Sequence, residues 1–392
     1  MASHGVPRPS TITTKDEQAR LKEEKDIKDY KTLVDLTSER EYSLEVLELT
    51  SKLLTKNPEY YTIWNVRRRL LTYGLFSKPS DSSLPSMELP STSQTDTTIT
   101  SSADSSSSSS QATPPSQNSR MTGKTGTTLE AIKNDLAFLV PLLMGWPKCY
   151  WIWNYRLWLL QQAKERLDME IARAMWTQEL GLVGKMLTRD NRNFHGWGYR
   201  RKIVAELESP ELGGSSMVET EFEYTTKMFS ASLSNFSALH TRSKLIPKLL
   251  NERRSDDGAR LRFLTNEFDL IAKALWTDAY NQSAWFYHEY LMTNLLEPVR
   301  QSTITPNMSS TERSAYVVLQ IENVKEMLEG EEECKWIYNA LLGNTMALWQ
   351  LEERSPMSDE LQDCKTWLAE LRKLDPLRRG RWDDLEKEFR GF

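Results

Sequence analysis

Cysteine and histidine are scarce in this chain of 392 residues, which has three of the first and four of the second. Cys149, Cys334 and Cys364 are odd in number and far apart. That excludes a disulfide framework and suits a reducing compartment. His4, His195, His240 and His288 form no His-x-x-x-His pair, and no Cys-x-x-Cys occurs. A complete zinc site within this chain alone is therefore not expected. Basic charge is not in excess either: 50 Lys and Arg stand against 55 Asp and Glu, a net charge of -5. No positive field invites nucleic acid or an anionic lipid surface. No apolar run approaches the length of a membrane span. The opening MASHGVPRPS lacks the apolar core of a secretory signal, and the closing RWDDLEKEFRGF carries no prenylation box. A cytoplasmic protein without stable membrane insertion is the expectation. Runs of alternating Val, Ile and Thr bounded by turns are also missing, so strands are not expected.

Tryptophan, by contrast, is plentiful, with thirteen copies. Several fall in one recurring phrase. PEYYTIWNVRRR at 58–69 and PKCYWIWNYRLW at 147–158 share a proline, aromatics and Trp-Asn-x-Arg in one register. These copies supply Trp64 with Arg67 and Trp153 with Arg156. FHGWGYRRK at 194–202 repeats the frame with Phe194, Trp197 and Arg200. FSALHTRSK at 236–244 keeps Phe236 and Arg242 but puts Leu239 in the tryptophan's place. QSAWFYHEY at 282–290 keeps Trp285 and replaces the arginine with His288. Positions 153, 197, 239 and 285 lie 44, 42 and 46 residues apart. Self-similarity at such a period marks a repeat array.

The first gap, from 64 to 153, is longer because of an insert. Residues 77–128 are Ser/Thr/Pro-rich with almost nothing apolar to bury, and are expected to be disordered. MTGKTGTT near the end of the insert lacks the first glycine of a phosphate loop and follows no strand, so it is set aside. Elsewhere the periodicity is helical. Leu129, Ile132, Leu136, Leu139, Val140 and Leu143 share one face, and the tryptophan phrase opens a second helix. Pro58 and Pro147 suit the start of that helix, and Asn193 and Asn235 suit its cap. The charged run at 17–31 reads as a solvated helix. The expected fold is all-α, a right-handed α-solenoid of stacked helical hairpins. Its parts are an N-terminal helix and first repeat (1–76), the insert (77–128), repeats two to five (129–300) and C-terminal helices (313–392). A polar gap at 301–312 precedes the last part. Trp and Arg three apart share a helix face. The tryptophan is expected to pack between hairpins, and the arginine fork to meet a carboxylate or carbonyl of the next repeat.

These phrases resemble the repeats of protein prenyltransferase alpha subunits. The resemblance runs through 43–297 outside the insert and resumes at Cys334-Lys335-Trp336 and Leu374-Asp375-Pro376-Leu377-Arg378. Asn235-Phe236-Ser237 and Ala284-Trp285-Phe286-Tyr287-His288 are similar to the fourth and fifth repeats of the Rab geranylgeranyltransferase kind, in its compact form. The resemblance implies a crescent wrapped around a beta subunit that supplies the zinc and most of the isoprenoid pocket. It implies geranylgeranyl diphosphate as co-substrate, with Rab GTPases as acceptors presented by Rab escort protein. Lys148 matches a lysine that reaches the diphosphate, where a cation stabilises charge developing as the C–O bond breaks. Tyr150 and His195 match pocket residues. His4 stands two residues from the place of a histidine that approaches the partner's zinc.

Trp151 stands where farnesyltransferase-type subunits carry a glutamine that helps hold the substrate's C-terminal carboxylate. An indole N–H cannot mimic an amide, which speaks against direct reading of a four-residue C-terminal box. Two other readings remain beside this one. The alpha subunit shared by farnesyltransferase and geranylgeranyltransferase type I is the nearer. A non-catalytic tetratricopeptide-type scaffold is the more distant, with a usual period near 34 and no Trp-x-x-Arg.

Overall fold

The computed structural model describes residues 14–38, 43–76, 117–296 and 303–389. Among them every regular element is a helix and none is a strand. The first are α1 (Thr14–Ser38), α2 (Leu44–Lys56) and α3 (Tyr61–Leu70), followed by a π-helical turn at Leu71–Leu75. Next come α4 (Gln117–Gly145), α5 (Tyr150–Arg166), α6 (Met169–Arg189), α7 (Phe194–Leu207), α8 (Val218–Ala231) and α9 (Phe236–Glu252). The remainder are α10 (Asp257–Thr277), α11 (Gln282–Leu296), α12 (Ser310–Glu326), α13 (Lys335–Leu351), α14 (Ser358–Leu374) and α15 (Arg379–Phe389). His4 and residues 77–116 lie outside the described residues.

The helices divide into two compact units. One comprises the described residues up to Leu182 together with Arg201–Gly213, and the other Val183–Arg200 with Gly214 onward. In the first, α2 pairs with α3 and α4 with α5, and α3 also touches α5. In the second, α8 pairs with α9, α10 with α11 and α12 with α13, while α9 and α13 both touch α11. Within each unit these paired helices cover one another's amphipathic faces, and α3 on α5, α9 on α11 and α11 on α13 link successive hairpins.

Each tryptophan of the phrase closes the turn that precedes its own helix. The indole N–H of Trp64 donates to the Pro58 carbonyl at 2.8 Å, and that of Trp153 to Pro147 at 2.8 Å. Trp197 reaches Asn191 at 2.9 Å, and Trp285 reaches Ala279 at 2.7 Å. The acceptor is six residues back in every case. The two prolines thus serve through their carbonyls in the turn, before the helix begins. Three of these carbonyls take a second donor from a later repeat: Cys149 Sγ on Pro58 at 3.6 Å, Asn235 Nδ2 on Asn191 at 2.9 Å, and Cys334 Sγ on Ala279 at 3.1 Å.

The arginines cross between hairpins. Arg67 pairs with Asp135, and Arg156 binds both oxygens of Glu179 at 2.6 and 2.7 Å. Arg200 does the same to Glu221 at 2.8 and 2.5 Å, and Arg242 to Glu267 at 2.7 and 2.6 Å. The carboxylate lies on the following first helix, and the carbonyl contact runs to the arginine's own hairpin. Arg156 takes Leu136 O at 2.9 Å, and Arg67 takes Leu47 O at 3.2 Å. Tyrosines complete two of these nodes. Tyr155 donates to Asp135 and Tyr287 to Glu267, both at 2.6 Å. Burial first, and the carboxylate second, hold both phenols well above their ordinary pKa, so each stays a donor.

Two features differ from the expectation, and a third adds detail to the C-terminal helices expected to complete the solenoid. α4 begins at Gln117, inside the range read as insert, and Thr128 is already buried. Once an amphipathic helix is nucleated, extending it backwards needs one residue fixed per bond. The stretch read as a polar gap also packs in part: Ile304 is buried, its N–H bonds Asn294 Oδ1 at 3.1 Å, and a Ser309–Glu312 capping box starts α12. Finally, α12 and α13 form a further repeat, in which Tyr338 Oη donates to Glu332 O, again six residues back, at 2.9 Å.

Candidate functional site

Lys148 sits in the short turn from α4 to α5. That turn is closed by Trp146 N donating to Leu142 O at 2.8 Å and Cys149 N to Trp146 O at 3.1 Å. Cys149 is the N-cap residue of α5, buried, with its thiol pushed up to about 11 by burial. It is a structural donor rather than a nucleophile. Lys148 itself is exposed. It stands beside the first turn of α5, where the helix dipole favours an anion. A lysine ammonium and a helix N-terminus in one place can hold a phosphate group.

Tyr150 is the first residue of α5 and is half exposed. Its hydroxyl accepts from Asn154 Nδ2 at 3.2 Å, and Asn154 Oδ1 accepts from Arg68 at 2.7 Å. Arg68 lies over the rings of Tyr155 and Trp158. Trp151 stacks on Tyr61 at 5.6 Å and meets Tyr150 edge-on at 5.2 Å. The indole thus belongs to an aromatic cluster. Reading the sequence singled out neither Arg68 nor Asn154; the only signal was the asparagine after tryptophan in the first two copies.

Lys148 and Tyr150 belong to the first unit, and His195 to the second. His195 is the second residue of α7, its ring 3.9 Å from that of Phe194. Asn193 Oδ1 accepts from the backbone N–H of His195 at 3.1 Å and of Gly196 at 3.2 Å, capping α7. Asn235 caps α9 through Ala238 N at 3.1 Å. The repeat residues Trp64, Arg67, Trp153, Arg156, Trp197, Arg200, Arg242 and Trp285 are all buried. Their partners, Asp135, Glu179, Glu221 and Glu267, were not apparent from the sequence. Among the described residues, no three His, Cys, Asp or Glu side chains are grouped to hold a metal ion. No described helix is long and apolar enough to cross a membrane.

Comparison with known proteins agrees with this architecture. The protein prenyltransferase alpha subunit repeat matches residues 43–74, 147–163, 176–207 and 264–295. The geranylgeranyl transferase type-2 subunit alpha of Schizosaccharomyces pombe is 30% identical over 396 residues, covering 98% of each chain. That of Saccharomyces cerevisiae is 29% identical over 385 residues, covering 97% of each. The human protein of the same name is 29% identical over 295 residues, 74% of this chain but only 41% of its own length. A chain of Candida albicans protein geranylgeranyltransferase-I complexed with GGPP shares the fold, with TM-score 0.54 and 17% identity over 91% of this chain and 88% of that one. With its repeated Trp-x-x-Arg hairpins and this end-to-end similarity, the chain belongs to the family of geranylgeranyl transferase type-2 alpha subunits, built from protein prenyltransferase alpha subunit repeats.

Proposed function

We propose that this chain is the alpha subunit of a heterodimeric Rab geranylgeranyltransferase, working in the cytoplasm. The observation that carries this is the similarity over nearly the whole chain to type-2 alpha subunits of two yeasts. The enzyme moves geranylgeranyl from geranylgeranyl diphosphate to C-terminal cysteines of Rab GTPases presented by Rab escort protein. Zinc held by the beta subunit would lower the pKa of the acceptor cysteine, whose own thiolate is the nucleophile. The described residues of this chain group no ligands for it.

This chain's part is electrostatic. As the C–O bond of the allylic diphosphate breaks, negative charge gathers on the leaving group. Lys148, at the N-terminal end of the α5 dipole, stabilises that charge more in the transition state than in the ground state. By the family resemblance Tyr150, steadied by Asn154 and Arg68, is a pocket residue, and so, taken separately, is His195. Trp151, packed against Tyr61 and Tyr150, offers no amide for a substrate carboxylate.

Co-expression with a beta subunit, then prenyl transfer to a Rab with and without escort protein, tests the reading. Transfer should require the escort and prefer geranylgeranyl over farnesyl diphosphate. Efficient transfer to a short peptide ending in a four-residue box, with no escort present, would instead identify the shared type I and farnesyltransferase subunit.

A further inference from the structure

Arg67 and Arg68 are neighbours on α3 with opposite settings. Arg67 is buried and pairs with a carboxylate, as Arg156, Arg200 and Arg242 do. Arg68 is half-buried, and among the described residues no carboxylate pairs with it. Its fork spans the two Trp-Asn phrases instead. Nη1 donates to Asn65 Oδ1 at 2.9 Å and Nη2 to Asn154 Oδ1 at 2.7 Å. The guanidinium lies 5.4 and 5.7 Å from the ring centres of Tyr155 and Trp158. Burial lowers its pKa, because a cation is costly where no anion offsets its desolvation. An acid in place of Asn154 would remove that cost, so stability alone does not account for the amide.

What the amide adds is a donor. Asn154 Nδ2 donates to Tyr150 Oη at 3.2 Å. The two ends of an asparagine amide have nearly the same shape and differ in chemistry. Arg68 can only donate, so the end facing it must be the oxygen and the end facing Tyr150 the NH₂. Tyr150 Oη is therefore the acceptor of this bond, and its own proton points away from Asn154. Without Arg68 the amide can turn over, and its oxygen would then draw that proton. The relay has one location. Among the copies of the phrase, asparagine follows the tryptophan position only at 65 and 154, with Gly198, His240 and Phe286 in the others. In the second copy Leu157, not an arginine, stands where Arg68 stands in the first. The bridge thus occurs only at the hairpin that carries Lys148 and Tyr150.

We propose that Arg68 is a positioning residue for prenyl transfer: through Asn154 it holds the Tyr150 hydroxyl so that its proton is offered to an acceptor oxygen of the substrate. This rests on the reading of Tyr150 as a pocket residue. Arg68 acts through Asn154 and Tyr150 and needs no contact with the substrate.

Single-turnover transfer by the heterodimer to a Rab–escort complex, with melting curves alongside, tests this on Arg68→Ala, Asn154→Asp and Tyr150→Phe. Tyr150→Phe should slow transfer about tenfold, the scale of one hydrogen bond, and Arg68→Ala by a similar factor. The two combined should cost no more than Tyr150→Phe alone, since both remove the same contact. Asn154→Asp gives Arg68 a carboxylate but leaves Tyr150 without a donor. Its melting temperature should hold or rise while transfer falls about tenfold; a purely structural bridge would leave transfer intact. Should Arg68→Ala melt early, Asn154→Asp decides. If Tyr150→Phe transfers at the parental rate, the pocket reading and this inference fall together. The inference alone falls if Tyr150→Phe is slow but Asn154→Asp is not. It falls equally if the Arg68→Ala loss persists in full on the Tyr150→Phe background.

Discussion

A lysine exposed in a turn contributes little to packing, so Lys148 can be removed without disturbing the fold. Lys148→Ala should slow single-turnover transfer by about 10- to 1,000-fold, the scale for losing one donor at a developing anion. Binding of the isoprenoid diphosphate should weaken less, because the contact strengthens as charge develops. Transfer at the parental rate would remove Lys148 from the chemistry. His288 gives a second prediction at this scale. Its pKa falls from 6.5 to about 4 on folding, so the unfolded chain binds more protons in that window. Its contribution is therefore complete above pH 6.5 and is lost as pH falls towards 4. The amount is about 3 kcal/mol, at 1.36 kcal/mol per unit. Unfolding free energies at pH 7 and 4.5 should differ less in His288→Phe than in the parent, by about 2 to 3 kcal/mol. Equal losses in both proteins would assign the pH dependence to other groups.

At the scale of helices, the bridges between hairpins are buried ion pairs, which are costly to break from one side. Arg156→Ala leaves Glu179 buried without its partner and should destabilise by about 3 to 5 kcal/mol. The double variant Arg156→Met, Glu179→Leu should recover much of that loss, because apolar groups carry no stranded charge. Denaturant melts of the single and double variants decide it: equal destabilisation would mean that packing, not charge, links these helices. This pair also shows what could be read beforehand. Trp153 and Arg156 stand out because rare letters recur at one spacing. Glu179 does not, since many acids occupy helix faces and only the packing selects one. The repeat of α12 and α13 is hidden for a related reason. Tyr338 performs the tryptophan's bond with a different side chain. The role proposed for Lys148 rests on family resemblance; a lone exposed lysine has no signature of its own.

For the whole chain, the distribution of exposed rings matters most. In the first unit Tyr60, Tyr61, Trp146 and Tyr150 are between 39% and 55% exposed, and in the second Phe194, Phe236 and Phe286 between 42% and 67%. All but Phe286 lie in the turn before a second helix or at that helix's first residue, and Phe286 lies one turn in. Aromatic rings exposed at matching places within each unit mark interaction surfaces. Expressed alone, the chain should be poorly soluble; with a beta subunit it should elute as a stable one-to-one complex. A monodisperse monomer that ignores the beta subunit in size-exclusion chromatography would contradict this.

The doubly used turn carbonyls set where the chain tolerates length variation. The interval from acceptor to indole is six residues in every tryptophan copy of the phrase, and six again at Tyr338. One residue more or fewer there would turn the ring off its carbonyl and unseat the donor that arrives from a later hairpin. The interval from arginine to its carboxylate is free by comparison, at 68, 23, 21 and 25 residues. Insertions and deletions should therefore accumulate only between one hairpin's second helix and the next hairpin's first, as residues 77–116 already do. That same junction is where a foreign domain or an affinity tag could be spliced in without breaking the reading frame of the repeats.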